Sequence, residues 1–270
     1  MPDQQRIITM SNLEKDLMTI KDVYLQYPAG KGEDGVYALE NVSMSIEKGD
    51  FVCLLGPSGC GKSTLLNIMA GLLEPTKGDI YMFGEKIVDV DWRRAVVFQT
   101  PTLYPWMTTY DNVAFGPTVR GIDKYEVDQR TKKYLALVGL TDFAENKPYE
   151  LSGGMRQRAA LARVLVNDPN MILMDEPFGA LDALTRINMQ ALVRDIWRKT
   201  DNTVFLITHD VDEALTLGTR VMVMSSRPGR IVDEFKTTFT YEIEEGNDDI
   251  RYVPEYVNLR KEILGQIQSQ

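Results

Sequence analysis

Between residues 42 and 46, Val42, Met44 and Ile46 alternate with Ser43 and Ser45. That period of two predicts a half-buried strand. With "MTIKDVYLQY" ahead of it, the N-terminal fifth reads as a small, mostly antiparallel sheet, interrupted by the loop "PAGKGEDG". Three later runs differ: "FVCLLG", "MILMDEP" and "TVFLITHD" are continuously apolar and end in polar residues. Such runs predict strands buried on both faces, as in a parallel sheet flanked by helices. Ligands of open α/β sheets bind at the carboxyl ends of the strands, so the three polar ends are expected to converge on one site.

Between about residues 100 and 166 the pattern turns helical. Val127, Thr131, Tyr134, Leu135 and Val138 share one face, and "MRQRAALARVLV" forms a further helix ending near "NDPN". In the tail, Tyr256, Leu259, Ile263 and Ile267 recur at steps of three and four, the spacing of an amphipathic helix packed on the domain. No tandem repeat is evident. Residues 1–17 read as a solvated, disordered extension, 18–235 as the main domain, and 236–270 as a tail that opens on the acidic piece "EIEEGNDD".

Composition changes this picture little. A hydrophobic fraction of 44% and a charged fraction of 26% are ordinary for a soluble globular protein. A net charge of −9 argues against nucleic acid as the main partner. Cys53 and Cys60 suggest neither a disulfide framework nor a metal site. No apolar stretch approaches the length of a membrane span, and the first residues lack a basic and then apolar leader.

The chemistry starts at "GPSGCGKST", Gly56 to Thr64, between a predicted strand and a predicted helix. This is G-x-x-x-x-G-K-[ST] in the context that gives the pattern its meaning. Backbone N–H groups from Gly59 through Cys60, Gly61 and Lys62 to Ser63 can curl around phosphate oxygens, with Gly56, Pro57, Ser58 and Thr64 completing the loop. Lys62 is expected to reach the β- and γ-phosphates and Ser63 to hold Mg²⁺. A thiol reagent at Cys60 should block ATP binding. Asp175 ends the strand "MILMD" and can bind Mg²⁺ directly or through water, while Glu176 can polarise an attacking water. The plainer alternative is a pair of acids capping the next helix. His209 is the one histidine in the chain; ending a strand, it is either structural or points at the γ-phosphate. Gln99 also follows a strand-like run, and its amide can ligate Mg²⁺ or orient water.

These pieces, in this order, resemble the ATPase subunits of ABC transporters across roughly residues 18–235. "GPSGCGKST" is similar to the family's Walker A, "VVFQ" to its Q-loop, "LSGGMRQR" to its signature, "MILMDEP" to its Walker B, "GALD" to its D-loop and "THD" to its H-loop. The resemblance implies an α/β P-loop NTPase fold with a RecA-like parallel core, a small antiparallel β subdomain and a helical subdomain. It makes His209 the switch histidine, Gln99 the Mg²⁺ and lytic-water residue, and Asp182 a dimer contact. It places an aromatic ring on the adenine; Tyr27 matches the position, with Tyr24 and Tyr37 as rivals. It also implies that the signature residues Ser152, Gly153 and Gly154 grip the γ-phosphate of ATP held by another copy. The glycine pair would then let backbone approach phosphate, the alternative being a serine-capped helix start.

The implied assembly is a homodimer, or a pair with a related subunit, bound to transmembrane permease subunits at the cytoplasmic face of the membrane. A solute-binding protein would serve it indirectly, and nucleic acid would not be a partner. Leu103, Tyr104 and Trp106 would then help form a permease groove, or else pack the core. Finer wording such as "MDEPFGALDALTR" and "THDVDEAL" is similar to importers of nitrate, aliphatic sulfonates and taurine. The competing classes are a soluble ABC-type ATPase acting on nucleic acid or ribosomes, and a P-loop kinase. The second of these leaves "LSGGMRQR" unexplained.

Overall fold

The computed structural model describes residues 16–28, 35–200, 202–243 and 249–269. Residues 1–15 of the expected extension, and most of "PAGKGEDG" and "EIEEGNDD", lie outside them. The first strand starts at Asp16, slightly ahead of the expected domain start at Met18.

Two sheets form. Strands β1 (Asp16–Tyr27), β2 (Val36–Glu47), β4 (Lys77–Met82) and β5 (Glu85–Lys86) make an antiparallel sheet in the order β2-β1-β4-β5. The second sheet joins β3 (Phe51–Leu55), β6 (Arg94–Val97), β7 (Met171–Asp175), β8 (Thr203–Ile207), β9 (Arg220–Met224) and β10 (Ile231–Lys236). Its order is β10-β9-β3-β8-β7-β6; all neighbours are parallel except the β10–β9 edge.

The continuous apolar runs are the interior strands β3, β7 and β8. Their side chains alternate between two cores. Phe51, Cys53 and Leu55 of β3 join a core with Ile172 and Met174 of β7 and Val204 and Leu206 of β8. Val52 and Leu54 point the other way, into a core shared with the small sheet and with Leu65 and Met69. A strand lined by cores on both faces has no polar alternation to show, which is why these runs read as unbroken.

The helices are α1 (Lys62–Ala70), α2 (Thr109–Val119), α3 (Lys124–Leu137), α4 (Gly153–Leu165), α5 (Ala183–Lys199), α6 (Val211–Leu217), α7 (Phe239–Glu242) and α8 (Pro254–Gln268). Helices α2, α3 and α4 pack on one another as the helical subdomain. Thr108 and Asp123 start α2 and α3 with side-chain caps, each satisfying N–H groups that a helix start leaves open. The predicted face of α3 is inward: Val127, Thr131, Tyr134 and Leu135 are buried.

Tail helix α8 buries Tyr256 and Ile263 in the same core as Phe51 and Trp197, with Leu259 and Ile267 packed against it. The tail is therefore part of the main domain's core. Tyr256 and Arg260 also donate to Asp212 Oδ1 of α6, at 2.9 and 2.8 Å. Burial pushes the Asp212 carboxyl up, but these two hydrogen bonds outweigh it and hold the group below its usual value.

Candidate nucleotide site

The loop from Gly56 to Gly61 leaves β3 and turns into α1. Gly61, at φ 109°, is the N-cap of α1, and no side chain caps that helix. A Cβ on Gly61 would lie 2.8 Å from Ala38 O, so conformation and space both require glycine. The uncapped first turn leaves N–H groups available to an anion. Lys62 is 7% exposed, and its Nζ donates to Gly56 O and Pro57 O at 2.8 and 2.9 Å. The ammonium is thus held within the curl of the loop. Cys60 departs from expectation. It is 1% exposed and packs in the core beneath the loop, and burial pushes its thiol up despite nearby Lys62. Its Sγ lies 4.0 Å from Lys62 Nζ, and at this burial a thiol reagent has little access to it while the loop is folded.

The strand ends converge as the parallel sheet requires. Ser63 Oγ donates to Asp175 Oδ1 at 3.1 Å, joining residues 112 apart in sequence. Burial pushes the Asp175 carboxyl up; the Ser63 hydrogen bond and Lys62 offset this in part, and Glu176 adds to it. A divalent cation at these oxygens would reverse the balance. Among the described residues no cluster of three His, Cys, Asp or Glu could cage a metal by itself. A hydroxyl beside one carboxylate instead fits Mg²⁺, which keeps waters and takes its other ligands from phosphates.

Glu176 has φ 43°, uncommon for a residue with a Cβ. Its N–H donates to Ile207 O at 3.0 Å, which ties this turn to the end of β8. His209 Nδ1 lies 3.2 Å from Glu176 Oε2. The carboxylate favours the tautomer with hydrogen on Nδ1. Gln99, exposed after β6, belongs to the same neighbourhood. A Cβ built on Gly179 would lie 3.7 Å from Gln99 Nε2 and 3.9 Å from Glu176 Oε2. Tyr27, 45% exposed, has its hydroxyl 3.4 Å from Thr64 Oγ1. Its rivals Tyr24 and Tyr37 pack edge to face on each other at 6.4 Å.

The signature lies on the other layer. Ser152 caps α4, accepting from Met155 N at 3.3 Å, so the plain capping alternative holds as well. Ser152 and Gly153 are exposed, and a Cβ on Gly153 would meet nothing within 4 Å. Gly154 is different. It is buried, and a Cβ there would lie 2.5 Å from Thr185 Cγ2 of α5. Packing inside the chain is thus a second reason for glycine at 154, beside the expected approach of backbone to phosphate. Asp182 caps α5 by accepting from Thr185 N at 3.0 Å, so one threonine touches both the D-loop and the signature helix.

A separate cavity of about 280 Å³ lies among Phe98, Pro101, Leu103, Phe115, Arg163 and Asn167. Leu103 packs on the core and Tyr104 is half-buried beneath Arg163, while Trp106 is 68% exposed. The larger cleft of about 1350 Å³, lined by Glu47, Asp50, Arg220, Glu234 and Leu259, contains none of the expected site residues. No helix among the described residues is long and apolar enough to cross a membrane.

The ABC transporter family profile matches residues 39–179. The chain belongs to the ABC transporter family. The taurine import ATP-binding protein TauB of Roseobacter denitrificans is 47% identical over 251 residues, covering 93% of each chain. TauB of Jannaschia sp. is 48% identical over 254 residues, again 93% of each. Among solved structures, the ATP-binding cassette MJ0796, dimeric with ADP and Pi, is 34% identical with a TM-score of 0.70. That match covers 82% of this chain and 99% of that one. The fold is that of an ABC ATPase, and ATP hydrolysis is its reaction.

Three residues of the neighbourhood were not legible beforehand: Thr185, Thr208 and Glu213. Thr185 could have been found from its position three residues after an N-cap aspartate. Nothing in the linear pattern marks the burial of Thr208 or Glu213.

Proposed function

We propose that the chain is the ATP-hydrolysing subunit of an importer for taurine or a similar small sulfonate. It would work as a dimer at the cytoplasmic face of a membrane, beneath separate permease subunits. A solute-binding protein would deliver the cargo. The observation that carries the dimer reading is the division of the site. Lys62, Ser63, Asp175, Glu176 and His209 gather at the strand ends, whereas Ser152 and Gly153 are exposed at the start of α4. Each phosphate would be bound by the loop of one copy and the signature of the other.

In this reading Lys62 leaves its two loop carbonyls for the β- and γ-phosphates, and the first turn of α1 adds N–H donors. Ser63 and Asp175, with Gln99, would hold Mg²⁺, which screens phosphate charge when bound. Glu176 accepts a proton from the attacking water, and His209 Nδ1–H steadies that carboxylate. Tyr27 offers its ring to adenine, since its hydroxyl already lies beside Thr64. The opposite chain's Ser152 hydroxyl and Gly153 N–H close on the γ-phosphate. Asp182 would lie in the contact between copies. Exposed Trp106 and the cavity beside Leu103 would receive the permease.

Glu176→Gln tests the dimer. It should bind ATP, hydrolyse it slowly and run as a dimer in light scattering with ATP. A variant that binds ATP yet stays monomeric would overturn the assembly. The cargo is tested with the reconstituted permease complex. Its ATPase should rise with taurine-loaded binding protein; a response to nitrate alone would reassign the substrate.

A further inference from the structure

Glu213 lies four residues beyond His209, on α6, and has no part in the mechanism above. It is 6% exposed, and burial pushes its carboxyl above the usual range. A buried carboxylate is costly unless hydrogen-bonded, and here the partners come from two directions. Gln190 of α5 donates from Nε2 to Glu213 Oε1 at 2.8 Å. The Thr208 hydroxyl shares a cavity with the same carboxylate, favours its charged form, and accepts the N–H of Asp210 at 3.0 Å, while Asp210 Oδ1 accepts the N–H of Glu213 at 3.2 Å. Arg186, in the first turn of α5, adds positive charge that favours the ionised form, and its Nη2 donates to Leu181 O at 3.1 Å.

The residue between Thr208 and Asp210 is His209, and the residue after Leu181 is Asp182. Glu213 is therefore tied on one side to the helix that Asp182 caps, and on the other it sits against both neighbours of His209. The cavity shared by Glu176, Arg186, Thr208, His209 and Glu213 is only about 20 Å³. That is barely room for one water, so the two segments have little slack between them.

We propose that Glu213 is a positioning residue that keeps His209 in register with α5, so that contact made at Asp182 by a second copy is felt at the His209–Glu176 pair. This rests on the dimer reading above. A carboxylate suits the role because its two oxygens accept from two donors. The amide of glutamine has one acceptor oxygen, and its NH₂ would oppose the NH₂ of Gln190 or the hydroxyl of Thr208.

The test is Glu213→Gln, which keeps shape and removes one link, in the full untagged chain. The single histidine makes the readout clean, because ¹⁵N-histidine labelling gives imidazole signals from His209 alone. Wild-type signals should change when Mg²⁺ and ATPγS drive dimerisation. Glu213→Gln should still dimerise, keep its KM for ATP, lose about tenfold in kcat, and fail to show the wild-type imidazole change. Thr208→Val should behave alike and Thr208→Ser should restore activity, which preserves the test if Glu213→Gln does not fold. Dimers of Glu213→Gln or Thr208→Val with wild-type kcat and wild-type imidazole signals would overturn the proposal. If the wild type itself never dimerises, the assembly reading fails, and this inference with it.

Discussion

The chain starts two helices with glycine-bearing turns, and the two starts are built in opposite ways. At α1 the cap is Gly61, no side chain blocks the first N–H groups, and buried Lys62 and half-buried Asp175 stand beside it. At α4 the cap is Ser152, whose side chain already serves Met155 N, and the neighbouring Gly153 faces solvent. The first carries its own buried lysine and a strand-end carboxylate. The second is exposed. Under the proposed function, two glycine-bearing turns would thus divide the work, one holding a phosphate within its own chain and one meeting a phosphate brought by another.

The largest effect should come from breaking the first turn. Lys62→Ala should lower ATP hydrolysis by about a thousandfold, because a charge-stabilising donor is lost inside the site, and nucleotide binding should weaken with it. Both are read by steady-state hydrolysis and fluorescent-nucleotide titration. Next is Gly153→Glu, which places a carboxylate at an exposed position with room for it. The monomer should fold and bind ATP normally while hydrolysis falls about a hundredfold. Impaired ATP binding by the monomer would mean that the two turns serve one phosphate within a single chain.

Gly154→Ala separates the two glycines. Its Cβ would meet Thr185 Cγ2 at 2.5 Å, so unfolding in denaturant should show a loss of about 1–3 kcal/mol. Gly153→Ala should leave stability within about 0.5 kcal/mol. The smallest effect concerns charge. Asp175 has a folded-state pKa above its ordinary value of 3.8. Its contribution to stability is therefore present below 3.8 and lost as pH rises through the folded value. At neutral pH the ionised carboxylate is a net cost to the nucleotide-free fold. Asp175→Asn should accordingly raise the melting temperature slightly at pH 7 and not near pH 3, while hydrolysis with Mg²⁺ is lost. No equivalent gain is available at the signature, where Ser152 and Gly153 carry no buried charge.

Much of the site was legible from the chain. "GPSGCGKST" and "MILMDEP" carry their chemistry in local spacing, because a phosphate loop and a strand-end carboxylate are each made by a few consecutive residues. The interior strands were legible for a related reason: burial on both faces leaves an unbroken apolar run. The reading failed where a side chain's neighbour is remote. Cys60 looked like a loop thiol but packs beneath the loop. Gly154 carries a constraint from Thr185 that its place in the signature does not reveal. The tail helix packs on the domain through Tyr256 and Ile263 as its spacing predicts, but nothing in that spacing shows that Tyr256 donates to Asp212.

By itself, then, the sequence determined the elements, the phosphate loop, the strand-end acids and the family pattern, since periodicity and spacing record each residue's own environment. Only the tertiary structure decided which side chains meet. Strand order brought Ser63 to Asp175 and β1 brought Tyr27, rather than Tyr24 or Tyr37, to Thr64. Packing of α5 and α6 buried Glu213 between Gln190 and Thr208. Those meetings depend on how crossovers stack helices on the sheet, and a crossover leaves no periodic trace in the residues it brings together.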